Sequence, residues 1–392
     1  MKKLCFFAFV FVFLLNFTNF PMPEFLPANA VINENINEVF TEKISYNSSA
    51  KSAILIDAQT GRVLYSKNSE EKLPMASTTK IVTAITAIEN CTNLDEKITI
   101  DPKAVGTFGT SIYLQPNEEL SVRELLYGLM LRSGNDASVA IAYAIAGSEE
   151  NFCEMMNQTA TKIGATNSHF VNPHGLDEKE HYTTASDLAK ITAYALENET
   201  FAEIVKTKTI TICKDQENKR YLINKNKLLA SLDGCIGVKT GFTDNAGRCL
   251  VSACERDGLR LVAVVFNCGP MFEESAEMFE KAFNEFKLVE ILPSYHFVKS
   301  VPVENGEGDF VGLYTRGSFK IALSEKEESN LNVVFNAPES LDAPVKYDME
   351  VGDVEIYYGN HLLFSEKIYT IEEVDSKLFK DKLKEILDNW NA

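Results

Sequence analysis

The chain is short of basic charge: 38 lysines and arginines stand against 56 aspartates and glutamates, a formal net charge of −18. Phosphate backbones and anionic lipid are held by clustered basic side chains, and no basic stripe is visible, so nucleic acid is excluded as a partner. Long apolar runs are also missing. The longest unbroken one, residues 4–15, falls short of the roughly 20 residues that a spanning helix needs. It follows Lys2 and Lys3 and precedes the small residues Ala28 and Ala30, so residues 1–30 are expected to be a secretory signal peptide cleaved after Ala30. Beyond Cys5 the cysteines are Cys91, Cys153, Cys213, Cys235, Cys249, Cys254 and Cys268, an odd set with irregular spacing that matches neither a disulfide framework nor a metal site. Most are expected to be buried small hydrophobes, with room for one bridged pair that the spacing does not identify. Internal repeats and low-complexity tracts are absent. What remains is ordinary globular sequence, 45% hydrophobic and 24% charged over 392 residues, enough for two or three domains.

The polar lead-in at 31–50 gives way to "SAILIDAQTGRVLYS", two β-branched runs around a turn at Gln59-Thr60-Gly61, which predicts a hairpin. Helix-sized segments rich in Ala, Leu and Met follow at 77–89, 121–132, 137–146, 150–163 and 185–197. Strand patterns return in "GCIGVKTGF", "GRCLVSACERDG" and "LRLVAVVFNCG", and a last helix is expected at about 272–287. Strands at both ends with helices between predict one sheet, in which the N-terminal hairpin joins the later strands beneath a helical cover. From Leu288 the pattern changes to short β runs without a helix, a small sandwich or barrel. The final stretch places Phe379, Leu383, Ile386, Leu387 and Trp390 on one face of a helix.

Three motifs carry chemistry. In "LPMASTTKIVTA", Pro74 favours a helix start, and residues three apart share a helix face, so Lys80 can set its amine against the Ser77 hydroxyl. The residues around Lys80 are apolar nearly all round the helix; burial there would neutralise the lysine and make it a proton acceptor. A capping serine beside a snorkelling lysine is the alternative. In "LMLRSGNDA" a helix ends near Arg132 and another is capped by Asn135 or Asp136; the turn presents Ser133 and Asn135, either as site residues or simply as capping chemistry. In "GVKTGFTDNAGRCLV", Lys239-Thr240-Gly241 ends a strand, and Gly241 permits close approach of another backbone. A lysine and a hydroxyl at a strand edge can hold a peptide and its carboxylate, or decorate an ordinary hairpin.

Ser-x-x-Lys, Ser-Gly-Asn and Lys-Thr-Gly in this order resemble the serine-type D-alanyl-D-alanine carboxypeptidases, the low-molecular-weight penicillin-binding proteins of peptidase family S11. The resemblance extends through "SAILIDAQTGRVLYSKN", "FVNPHGL" and "YTTASDLA" and over nearly the whole chain after residue 30. It implies an α/β (α+β) fold: a β-lactamase/transpeptidase-like domain over 31–288 with an antiparallel sheet covered by helices, an all-β sandwich over 289–371, and an amphipathic helix at 372–392. It also implies roles. Ser77 attacks the D-Ala-D-Ala peptide bond, Lys80 takes its proton and Ser133 relays one to the leaving D-alanine. Asn135 holds the peptide amide, Lys239 and Thr240 hold the terminal carboxylate, Gly241 gives access, and the N–H groups of Ser77 and Phe242 form an oxyanion hole. The expected partners are a peptidoglycan stem peptide, β-lactam antibiotics as inhibitors, and the outer face of the cytoplasmic membrane through the last helix; no cofactor is required.

One departure stands out. Family members carry an arginine after the strand that follows Lys-Thr-Gly, whereas "NCGPMFEESAEMF" has Glu273 and Glu274, leaving Arg248 as the conceivable substitute. Three other functions share parts of the pattern. A β-lactamase would need a glutamate-x-x-leucine-asparagine loop, which is absent between 150 and 200. A zinc peptidase would need a ligand spacing that His169, His174 and His181 do not have. A non-catalytic wall-binding protein would be free to lose the six polar residues that are all intact.

Overall fold

The computed structural model describes residues 36–214 and 218–378 and, beyond these, Lys380, Leu383, Leu387 and Trp390. The signal-peptide stretch, Phe379 and Ile386 lie outside the described residues.

The predicted hairpin forms as β1 (Ser52–Asp57) and β2 (Val63–Lys67), and the later runs form β3 (Cys235–Thr243), β4 (Gly247–Arg256) and β5 (Leu259–Phe266). They make one antiparallel sheet in the order β2-β1-β5-β4-β3, so chain ends far apart in sequence meet at the β1–β5 ladder. All six residues of β1 are buried, because both faces of the sheet are covered. Ile54 and Ile56 enter a core with Ile81, Val82 and Ile85 on the helical side. Ala53 and Leu55 enter a second core with Met278, Phe279 and Ala282 of a helix at Met271–Glu285. Burial on both faces is why this strand reads as a continuous apolar run rather than an alternating one.

The helical layer contains α1 (Lys80–Asn90), α2 (Asn135–Ala146), α3 (Glu149–Ile163) and α4 (Ala185–Leu196). Ser148 caps α3 by accepting from the Asn151 N–H, and Thr184 caps α4 by accepting from the Asp187 N–H. Two expectations change. Gly134, not Asn135 or Asp136, precedes α2, leaving Asn135 as its first residue. Asp136 is occupied elsewhere: its buried carboxylate accepts from the backbone N–H groups of Ile112 and Leu114 and from the Ser111 hydroxyl. The single helix expected at 121–132 divides into an α segment, Val122–Tyr127, and a widened π turn, Gly128–Arg132. That turn delivers Ser133 in the left-handed region with φ 66. A helix at Glu199–Lys206 and a short hairpin, Thr209–Ile212 with Arg220–Ile223, have no clear sequence signal; four-residue strands carry too little alternation to register.

From Lys287 to Leu378 the described residues form strands and loops apart from one turn of helix, Glu325–Glu328, which corrects the expectation of no helix there. A reciprocal capping box between Ser324 and Glu327 creates that turn. A six-stranded sheet is joined by a two-stranded ladder, Lys287–Leu292 with Phe319–Leu323. Phe319 of the ladder stacks on Phe364 of the sheet with ring centroids 5.0 Å apart. This region is tied to the β1–β2 hairpin by Arg62, which is fully buried and pairs with Glu327 at 2.6 Å. The Arg62 guanidinium also donates to the Ala322 carbonyl and lies over the rings of Phe40 and Phe286 at 4.4 and 5.0 Å. At the far end the described apolar residues Leu383, Leu387 and Trp390 are exposed.

Candidate active site

Ser77 lies in a 3-10 turn, Ala76–Thr79, that runs directly into α1. Two threonine hydroxyls clamp the turn from inside: Thr78 donates to the Met75 carbonyl at 2.6 Å and Thr79 to the Ala76 carbonyl at 2.9 Å. Ser77 stays half-exposed while its neighbours are buried. Three residues on, the Lys80 amine reaches Ser77 Oγ at 3.1 Å, Asn135 Oδ1 at 2.7 Å and the His174 carbonyl oxygen at 2.5 Å. Burial pushes this amine well below the ordinary lysine range, helped by the nearby charges of Lys239 and Lys225 and only partly opposed by Asp136.

Asn135 is engaged at both ends, since its Nδ2 donates to the Phe108 carbonyl at 2.7 Å. Holding a substrate amide therefore requires it to exchange a partner. Ser133 is buried at the entrance to α2, two residues ahead of Asn135.

Lys239, Thr240 and Gly241 lie in the second half of β3, an edge strand whose only sheet neighbour is β4. A side chain at Gly241 would come within 3.0 Å of the Met75 carbonyl oxygen and 3.1 Å of the Ser77 backbone nitrogen, so glycine lets this strand lie against the serine's turn. Lys239 is buried and its amine donates to the Thr240 carbonyl at 2.8 Å. Burial, with Lys225 nearby, lowers its pKa to about 7. Phe242, the next residue after the glycine, is largely exposed.

Several contributors carry no residue-type signal. The segment "FVNPHGL" was noticed as a motif, yet what it supplies is backbone: the His174 carbonyl accepts from Lys80, and the Pro173 carbonyl accepts from Thr83 at 2.7 Å. Gly175, at φ +89, presses so close that a Cβ would stand 2.0 Å from the Ala76 carbonyl oxygen. Lys225, whose N–H donates to the Leu131 carbonyl at 3.2 Å, brings a third amine near the site. Only the glycine in a turn-like context could have been read from sequence.

The remaining candidates are placed elsewhere. Arg248 is exposed and directs its guanidinium toward the Gly269 carbonyl at 3.5 Å, and Glu274 is buried against Ser48 and Ser49 ahead of β1. The three clustered histidines are used locally. His181 Nδ1 accepts from the Val171 N–H at 3.1 Å while its Nε2 meets Thr79 Oγ1 at 2.8 Å, and His169 Nδ1 meets the Glu180 carbonyl at 2.6 Å. Burial lowers His181 to about 3 and His174 to about 4, so both are neutral near pH 7.

Residues 38–269 match the family model described as D-alanyl-D-alanine carboxypeptidase, peptidase S11, and residues 286–376 match that of the penicillin-binding protein 5 C-terminal domain. D-alanyl-D-alanine carboxypeptidase DacF of Bacillus subtilis is 33% identical over 349 residues, covering 87% of this chain and 90% of its own length. D-alanyl-D-alanine carboxypeptidase DacC of Escherichia coli is 31% identical over 344 residues, 83% of this chain and 84% of its own. Among solved structures, penicillin binding protein 5 of Haemophilus influenzae superposes with a TM-score of 0.70 at 26% identity, covering 85% of this chain and 99% of that one. The carboxypeptidase DacD of Francisella tularensis superposes with 0.64 at 27% identity, over 91% and 100%.

Proposed function

The chain belongs to the D-alanyl-D-alanine carboxypeptidase family, peptidase S11, and from that premise we propose that it removes the terminal D-alanine from peptidoglycan pentapeptide stems through an acyl-enzyme on Ser77. The observation that carries this reading is the set of partners around one buried amine. A neutral amine has two N–H donors and one lone pair. Asn135 Oδ1 and the His174 carbonyl oxygen can only accept, so they take the two donors, and the lone pair is left facing Ser77 Oγ. Ser77 then gives its proton to Lys80 as its oxygen bonds to the carbonyl carbon of the penultimate D-alanine.

The oxyanion that forms is received by the backbone N–H groups of Ser77 and Phe242, which the absence of a side chain at Gly241 allows to converge. Ser133 passes a proton to the departing amine and takes in its place the one Lys80 received from Ser77, so the C–N bond breaks, D-alanine leaves and Lys80 is neutral again. Lys239 and Thr240 hold the terminal carboxylate, and Asn135 the peptide amide. Water then attacks the ester, its proton goes to Lys80, and Ser77 is regenerated. Penicillin presents a strained amide and a carboxylate to the same groups and acylates Ser77, but its acyl group leaves slowly. Glu273 and Glu274 contribute no positive charge, so Lys239 is the principal carboxylate anchor in this scheme.

The chain is proposed to be exported, with a signal peptide at 1–30, a catalytic domain at 31–288 and a β domain at 289–371, although the strand Lys287–Leu292 runs across that last boundary. The segment 372–392 is proposed to lie on the outer face of the cytoplasmic membrane. The exposure of Leu383, Leu387 and Trp390 supports this, since a helix docked on its own protein would cover them.

Fluorescent penicillin tests the scheme. Stable labelling that disappears in Ser77→Ala, together with D-alanine release from a pentapeptide, is the expected result. Labelling that persists in Ser77→Ala would overturn it, and rapid loss of the label from the wild-type protein would indicate a β-lactamase.

A further inference from the structure

Two of the seven described cysteines face one another. Cys235 opens β3, and Cys254 stands directly across the antiparallel ladder on β4. Both side chains project to the sheet face covered by the helix Met271–Glu285, where Cys254 is part of the core and Cys235 packs at its edge. Opposed residues in such a ladder have Cα atoms about 4.5–5.5 Å apart, within the roughly 4.4–6.8 Å that a disulfide spans. Both are free thiols, and that of Cys235 donates to the Gly237 carbonyl at 3.5 Å. By contrast, the same ladder pairs Cys249 with Gly241.

Access differs between the two sulfurs. Cys254 is fully buried, whereas Cys235 is half-buried and lines an open cavity of about 520 Å³ together with Lys206, Lys208, Leu229 and Leu232. We propose that Cys235 and Cys254 form an oxidisable pair that closes to a cross-strand disulfide, with Cys235 as the entry thiol and a small-molecule disulfide such as oxidised glutathione as oxidant.

The chemistry balances in two exchanges. Cys235 loses its proton to water and its thiolate attacks one sulfur of the oxidant; that S–S bond breaks and one glutathione thiolate leaves. Cys254 then loses its proton and attacks Cys235 Sγ, releasing the second glutathione thiolate. Two protein thiols are oxidised by two electrons, and one oxidised glutathione becomes two reduced ones. The order of events has a physical basis. The neighbouring Cys254 thiol lowers the Cys235 pKa against the opposing effect of burial, and Lys208 adds a favourable charge. Burial, together with Cys235, raises that of Cys254, which therefore keeps its proton and waits.

The bond would sit beside an irregularity in the ladder. β3 is an edge strand, its pairing with β4 is irregular between Cys235 and Gly237, and Lys239 lies only two residues beyond. Closure would pin the start of the strand that carries Lys239, Thr240 and Gly241. The inference is independent of the acyl-enzyme reading, and Ser77→Ala should form the same bond.

The test is peptide mapping of the purified protein, reduced, freed of reductant and then incubated with oxidised glutathione. Trypsin cuts at Lys239 and Arg248, so the two cysteines fall in separate peptides, and fragmentation of the second, residues 249–256, distinguishes Cys254 from Cys249. Expected are a linked Cys235–Cys254 peptide, an intact mass lower by two hydrogens, and two fewer alkylatable thiols. Cys254→Ser should instead trap one glutathione on Cys235, and Cys235→Ser should leave Cys254 unmodified. If a variant fails to fold, the wild-type map still decides. Retention of both free thiols, linkage to any other cysteine, or a stable glutathione adduct on wild-type Cys235 would overturn the proposal.

Discussion

The helical and sheet region that carries Ser77 and the β region that follows it bury very different groups. In the first, Lys80, Lys239, Asp136, Asp187 and His181 are all enclosed, and Ala76 and Ser133 occupy left-handed backbone conformations. From Lys287 onward, the buried polar side chains among the described residues are Thr315, Ser324, Glu327 and Thr370, of which Glu327 alone is ionisable and is paired with Arg62. Its other ion pairs, such as Lys320 with Glu290 and Lys367 with Glu350, are exposed and worth about 0–1 kcal/mol each. Desolvated lysines cost stability, so they persist where they support chemistry. The β region has left-handed residues of its own, Tyr295, Asn305 and Asp348, but among its described residues it buries no lysine.

The contrast can be broken at its centre first. Replacing Lys80 with arginine keeps a cation that does not deprotonate and should lower the penicillin acylation rate by roughly 10²–10⁴, measured by the time course of labelling. The junction offers the matching stability test. Arg62→Ala strands the buried Glu327 carboxylate and should cost about 3–5 kcal/mol in urea unfolding, while the folded protein still acylates at the wild-type rate. An equally slowed acylation would show that the two regions are not separable. Gly175→Ala, which forces a Cβ into the Ala76 carbonyl, should slow acylation by roughly 10²-fold, because the turn that aims Ser77 must move.

A smaller effect follows from pH. The Lys239 amine is charged below about 7 and neutral above it, and only the charged form anchors a carboxylate. In the free enzyme, kcat/KM for a D-Ala-D-Ala peptide should therefore fall as pH rises through about 7, by about tenfold per unit beyond it. Lys239→Arg should remove that alkaline limb. Lys80 acts in the opposite sense in the proposed scheme, where its neutral form is the base, and burial holds its pKa well below the ordinary lysine range. The smallest change is expected from deleting residues 372–392. Acylation should be unaltered, and the exported protein should move from the membrane fraction to the soluble one.

Much of this was legible beforehand. Apolar periodicity marks β1, β2 and α1 to α4 to within a few residues, and the motifs single out Ser77, Lys80, Asn135, Lys239 and Gly241. The missed features share a cause. The His174 carbonyl is backbone, which has no residue-type signature, and the π turn at Gly128–Arg132 has the same composition as a helix. The motif leaves Asn135 open to capping or to a site role, and tertiary contact with Lys80 and Phe108 takes its side chain.

Residue order by itself determined which groups this protein has to work with: a serine and a lysine one helical turn apart, a Ser-Gly-Asn turn, a Lys-Thr-Gly strand, and an apolar pattern that obliges distant strands to share a sheet. Tertiary structure alone decided what those groups are chemically. An amine's basicity depends on how completely water is removed and which charges lie nearby, and the Lys80 amine meets Ser77 in company with Asn135 Oδ1 and the His174 carbonyl oxygen, 55 and 94 residues away. The same holds for Cys235 and Cys254, whose pairing is set by ladder register and not by spacing along the chain.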